Sequence, residues 1–148
     1  MILISHRGNT EGRNEARENT PSYIEETIKV GFTVEIDIYS AAGQLFLGHD
    51  FENRLKIEKS WLDDRANNLL IHCKNLDAAV FCSKNPHLNF FFHESDPYVI
   101  SSVGWVIGHS SSRNQSGAIC MLPERLGLKK DSVKNCAGIC SDIISFYK

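Results

Sequence analysis

Phe32-Thr33-Val34-Glu35-Ile36-Asp37 is a short apolar run that breaks into two carboxylates, and its reading decides the fold. Glu35 and Asp37 stand two positions apart, so on a strand both side chains point to the same face. Two carboxylates on one face repel each other unless a divalent cation neutralises them, or unless one pairs with Arg7 or Lys74. The same pattern recurs along the chain. Ile2-Leu3-Ile4 runs into Ser5-His6-Arg7-Gly8, and Leu69-Leu70-Ile71 into His72-Cys73-Lys74. Phe90-Phe91-Phe92 leads to His93-Glu94-Ser95-Asp96, Trp105-Val106-Ile107 to Gly108-His109, and Ala137-Gly138-Ile139-Cys140 to Ser141-Asp142. Continuous short apolar runs bounded by turn residues predict strands buried on both faces, as in a parallel sheet. In such folds ligands bind at the carboxyl ends of the strands, and the ionisable residues fall there.

Helices are expected between the runs. Thr20 caps one with Pro21 at its first position, and Gly31 ends it. Ile24 and Ile28 share its apolar face, and Glu25 and Lys29 form an exposed pair one turn apart. Ser60 with Asp63 resembles a capping box opening a helix through Leu62 and Ala66, and Asn75 caps another that stops before Pro86. Gln44-Leu45-Phe46-Leu47 follows the turn-like Ala41-Ala42-Gly43 and reads as the return arm of a hairpin, carrying His49 back toward Glu35 and Asp37. Residues 109–117 form the most loop-like stretch.

The 148 residues fit one domain covering 1–148, and 42% hydrophobic with 23% charged residues is an ordinary globular balance. A net charge of −2, with no Lys/Arg cluster, argues against a nucleic-acid partner. No apolar run approaches a membrane span, and Met1-Ile2-Leu3-Ile4-Ser5 is too short for a signal peptide. The five cysteines form no C-x-x-C pair and sit mostly in apolar runs, so they read as core thiols of a cytoplasmic protein.

His6-Arg7-Gly8, Glu18-Asn19-Thr20-Pro21, Gly31, Glu35-Ile36-Asp37, Gly43 and His49-Asp50 together resemble the N-terminal signature of the glycerophosphodiester phosphodiesterase family, in order and spacing. The resemblance covers about the first 50 residues and thins beyond residue 75. It implies a TIM-like (β/α) barrel, here α/β, compacted and with reduced helices, because 148 residues are too few for eight ordinary βα units. Gly138 to Asp142 looks like the family's last barrel strand. Carried over by position, His6 and His49 become the catalytic pair, and Glu35 and Asp37 metal ligands. Arg7 becomes a phosphate contact, with Lys74 beside it.

Where the family has an acidic ligand on its third strand, this chain has His72. Magnesium or calcium is the family's expectation. An imidazole ligand shifts the preference toward manganese or zinc. His93 is a further candidate for the substrate mouth, since it directly ends the Phe90-Phe91-Phe92 run. The resemblance thus implies a metal-dependent phosphodiesterase with a small phosphodiester substrate. Two histidines would supply acid and base, with water or a neighbouring substrate hydroxyl attacking; the latter gives a cyclic phosphate. The alternative is a binding module for a phosphorylated or sugar-like ligand on a degenerate barrel.

Overall fold

The computed structural model describes residues 1–50, 52–109 and 115–148. The chain begins with β1 (Ile2–His6), α1 (Pro21–Lys29), β2 (Thr33–Ala41), β3 (Gln44–Leu47) and β4 (Leu55–Ile57). It continues through α2 (Lys59–Asp63), β5 (Leu69–Cys73), α3 (Leu76–Ser83), β6 (Phe90–Phe92) and β7 (Tyr98–Ile100). It ends with β8 (Val106–Gly108), β9 (Ile119–Met121) and β10 (Gly138–Ser141), followed by a short turn of 3₁₀ helix over Ile144–Tyr147. The serine-rich stretch expected to be a loop lies in large part outside the described residues.

The expected α/β TIM-like barrel is not what the chain builds. Its strands form one mixed, mostly β sheet curled into a half-barrel, with three α-helices among the described residues. The parallel strands run in the order β6-β5-β2-β1-β10-β9-β8, with β7 antiparallel on β8, and β3 and β4 antiparallel beside β2. Among the described residues no ladder joins β6 to β7 or β8. Ser102 ties that gap instead, donating its N–H to the Phe90 carbonyl at 2.8 Å. The physical reason is connection length. A TIM barrel needs a helix after every strand. Here β6 is followed by five residues that lead into the hairpin arm β7, and β9 by sixteen residues that form turns and two short 3₁₀ segments.

The first and last strands do lie side by side, Leu3 level with Ile139 and Ile4 with Cys140. Gly138 permits this approach, because a Cβ there would stand 2.8 Å from the Ile2 carbonyl oxygen. The β2–β3 hairpin turns through Ala42 and Gly43, both at positive φ (50° and 72°), the geometry of a tight two-residue turn.

α1 starts at Pro21 and ends at Lys29, though the Thr20 hydroxyl donates to the Arg17 carbonyl rather than capping. α2 begins at Lys59, one residue before Ser60, and ends at Asp63, so the expected capping box does not form. Glu25 does not pair with Lys29; it accepts from Arg65 and Trp61 of the neighbouring α2 region.

Alternation within each strand sorts the core into layers. Val34, Ile36, Ile38, Leu69, Ile71 and Cys73 point outward under the helices. Ile4, Leu70, Phe91, Ile107, Ile119 and Cys140 point inward and fill the concave side of the sheet. No helix of the described residues is long and apolar enough to cross a membrane.

Candidate functional site

Five parallel strands repeat one local device. Two residues after the buried inward apolar side chain comes an ionisable one on the same face: Ile4 then His6, Leu70 then His72, Phe91 then His93, Ile107 then His109, Cys140 then Asp142. The apolar residues form a floor across the half-barrel, and the ionisable ones form the layer above it. β2 adds Glu35, level with His6, and Asp37, level with His72.

Glu35, Asp37 and His72 bring ligand atoms within 4.8 Å of one another. His72 Nδ1 lies 3.3 Å from Asp37 Oδ1 and 3.7 Å from Glu35 Oε1. Glu35 and Asp37 are 1% and 0% exposed, yet Glu35 Oε2 and Asp37 Oδ1 find no hydrogen-bond donor, nor does buried His72 Nε2 find a partner. Buried polar atoms are normally satisfied, so such a group of orphans asks for a cation. The electrostatics agree. Burial, then the Asp37 charge, push the Glu35 carboxyl up, against the pull of His6, His72 and Arg7. Burial opposes ionisation of Asp37 as well, but His72, Arg7 and Lys74 outweigh it and hold that carboxyl well below the usual range. The protein's own cations therefore settle one carboxylate and leave the other short of positive charge.

A second trio, His6, Glu18 and Asp142, also meets within 4.8 Å, but its atoms are already spoken for. Asp142 Oδ1 accepts from His6 Nδ1 at 2.6 Å and from Asn9 at 2.9 Å, and its Oδ2 accepts from Arg125 at 2.9 Å. These donors outweigh burial and hold the Asp142 carboxyl low. Glu18 accepts from Asn9, Arg13 and Arg7. This trio is a hydrogen-bonded frame. Its product is an oriented histidine, with Nδ1 held by Asp142 and Nε2 turned to Glu35 Oε2 at 3.9 Å.

The loop after β1 is shaped for the same place. Arg7 and Asn19 both adopt left-handed backbone, φ 57° and 54°, a conformation that costs free energy outside glycine and clusters at functional sites. Asn19 bonds Asp37 twice, accepting from its N–H and donating to Oδ2, each at 3.0 Å. Arg7 Nε stands 2.8 Å from Asp37 Oδ2, and Lys74 Nζ 3.6 Å from Asp37 Oδ1. Gly8, at φ 95°, lets Tyr23 pack where a Cβ would lie 2.8 Å from the ring.

The structure thus brings His6, Arg7, Glu35, Asp37, His72 and Lys74 together. It does not bring His49 into that group. The His49 side chain is 46% exposed and its Nδ1 pairs with Asp50 at 2.8 Å. The hairpin does return it to the neighbourhood, since Gly48 N–H bonds the Asp37 carbonyl at 3.1 Å. His49 lines a cavity of 620 Å³ together with Arg7, Glu18 and Asn19. His93 stands on the other side. Its ring stacks on His109 at 3.4 Å between centroids, and lies 6.4 Å from His72, which itself stacks on Phe91. Burial, with His93, His72 and Lys74 nearby, pulls His109 down to about 4.

No protein-family model matches the chain, and no curated protein or solved structure matches it either. The sequence reading missed Asp142, Asn9 and His109 as members of the site. Asp142 carried a usable signal, its place two residues beyond buried Cys140 at a strand end. Asn9 carried none, because its role arises from a loop fold that brings residue 9 against residue 142.

Proposed function

We propose that the chain is a metal-dependent phosphodiesterase acting on a glycerophosphodiester-like or related phosphodiester. The observation that carries this reading is the close group of Glu35, Asp37 and His72, in which Glu35 Oε2, Asp37 Oδ1 and His72 Nε2 have no hydrogen-bond partner, with Glu35 3.9 Å from a histidine held by an aspartate. These three side chains would hold the ion, and a bound ion supplies Lewis-acid stabilisation of a phosphoryl oxygen. His72 brings a nitrogen donor, which favours manganese or zinc over magnesium.

The remaining work falls to the chain's own residues. His6 takes or gives a proton through Nε2, while Asp142 fixes its ring and stabilises it when charged. Arg7 and Lys74 add positive charge beside Asp37 and meet the phosphoryl oxygens. His49, lining the cavity, serves the opposite proton transfer, and His93 borders the mouth beyond His72. Attack by a neighbouring hydroxyl of the substrate leaves a cyclic phosphate, and attack by water leaves a monoester.

The test is release of alcohol from a generic phosphodiester, in chelator and then with magnesium, calcium, manganese or zinc. Metal-stimulated release, abolished in Glu35→Gln and Asp37→Asn, supports the reading, and phosphorus NMR of the product separates hydrolysis from cyclisation. Absence of release with every metal sinks it. One observation favours a second reading, a binding module for a phosphorylated or sugar-like ligand. The His49 ring meets Asp50 rather than the buried centre, and binding alone needs no second proton-transfer group.

A further inference from the structure

His6 takes part of its orientation from a loop that begins two strands away. β9 stops at Met121, level with Cys140 of β10, and the chain turns at Leu122. Leu122 adopts left-handed backbone (φ 51°, ψ 53°), and it precedes Pro123, which disfavours helical geometry at the residue before it. A conformation of this cost persists only where the surroundings over-determine it. Here the Leu122 N–H donates to the Cys140 carbonyl at 2.7 Å, and Leu122 and Pro123 are both buried.

The turn delivers two charged neighbours to the end of β10. Glu124 Oε1 accepts from the Asp142 N–H at 2.8 Å, and its Oε2 accepts from the Ser141 hydroxyl at 2.9 Å. The Ser141 oxygen accepts in turn from the Ile143 N–H at 3.0 Å, so Glu124 governs the backbone on both sides of Asp142. Arg125 governs the side chain, donating to Asp142 Oδ2 at 2.9 Å and leaving Oδ1 to His6 and Asn9. An ionised carboxylate only accepts, so His6 Nδ1 must be the donor, and in neutral His6 the lone pair falls on Nε2. We propose that Glu124 and Arg125 are positioning residues for proton transfer, Glu124 placing Asp142 and Arg125 orienting its carboxylate, so that together they hold His6 in one tautomer. The role rests on the reading that His6 transfers a proton at the Glu35, Asp37 and His72 centre.

The experiment joins imidazole nitrogen NMR of the whole metal-free chain at alkaline pH, with His6→Ala identifying the His6 signals, to turnover of a generic phosphodiester with manganese. The parent should show His6 as the Nδ1–H tautomer. Arg125→Ala should mix the two tautomers and lower kcat about fivefold with KM unchanged, a modest loss because the Arg125 side chain is 46% exposed. Arg125→Lys should recover part of both. Glu124→Ala should act in the same direction. Glu124→Gln should recover most of that loss, because an amide can accept from the Asp142 N–H and donate to the Ser141 oxygen. In an Asp142→Asn background, Arg125→Ala should cost less than about twofold, since the charge it orients is gone. Should Glu124→Ala unfold, the exposed Arg125 variants carry the test alone. A parent without the Nδ1–H tautomer, its survival in Arg125→Ala, or losses that add in full to those of Asp142→Asn overturn the positioning role. Mixed tautomers in Arg125→Ala, in a chain that cleaves no phosphodiester, uphold the clamp on His6 and reject the enzyme reading. An unchanged tautomer with metal-stimulated turnover does the reverse.

Discussion

Replacing Asp142 with asparagine keeps the shape of the group that holds His6 and removes its charge. Turnover of an accepted phosphodiester should fall at least about tenfold, within the roughly 10²–10⁴-fold that a complete proton-transfer group contributes, and the acid limb of the rate profile should move. His6→Ala should show the whole 10²–10⁴-fold loss in single-turnover rates. His72→Glu tests the metal assignment. An added carboxylate oxygen should shift the rates toward magnesium across a series of magnesium, calcium, manganese and zinc, and an unchanged profile would place His72 outside the ligand set. At this scale much of the site was legible, because period-two alternation put Glu35 and Asp37 on one face and His6 and His72 at strand ends. Asn9 and Asn19 were not legible as partners of Asp142 and Asp37, since a loop path from residue 7 to residue 20 decides them.

The elements divide by whether a local signal governs them. Asn75 caps α3 as its position foretold, accepting from the Ala78 N–H at 3.1 Å. It also accepts from the Ser40 N–H and donates to the Ser40 carbonyl, tying α3 to β2. Asn75→Ala should therefore lower stability by about 1–2 kcal/mol, measured by urea unfolding, the upper end reflecting the lost bonds to β2. Ser60 carried a similar signal and does not cap, because α2 starts one residue earlier and its side of the molecule is organised by Arg65 against Glu25.

For the whole molecule, the inward apolar floor is what the half-barrel has in place of a closed barrel's packed interior. Leu70 is fully buried there among Ile4, Phe91, Ile107 and Ile119. Leu70→Ala should cost about 2–5 kcal/mol, read as a lowered urea midpoint at constant slope. Acid should also unfold the protein. Asp37 and Asp142 have folded pKa values below the ordinary 3.8, so the unfolded chain binds more protons as pH falls through about 4. Their stabilisation is present above that pH and drains away below it. Glu35 has the opposite sign: raised above 4.5, it favours folding at low pH and opposes it near neutrality in the metal-free chain. Melting temperatures from pH 7 to 2 should fall below pH 4, with a shallower fall in Asp142→Asn. The TIM-like barrel was implied by the resemblance, and the strand runs could not correct it, because parallel strands look alike whether or not helices cover every crossover. Only the connections after β6 and β9 tell the two apart.

The floor and the layer above it share one spacing, and that gives the chain a phase. Deleting a single residue inside β1 or β5 would rotate everything beyond it by half a period, turning His6 or His72 out beneath the flanking layer and bringing an apolar neighbour in. Deleting two residues would restore the face and change only the height. A scan of deletions across the parallel strands should then read as a beat, with odd lengths abolishing fold and chemistry together and even lengths separating them.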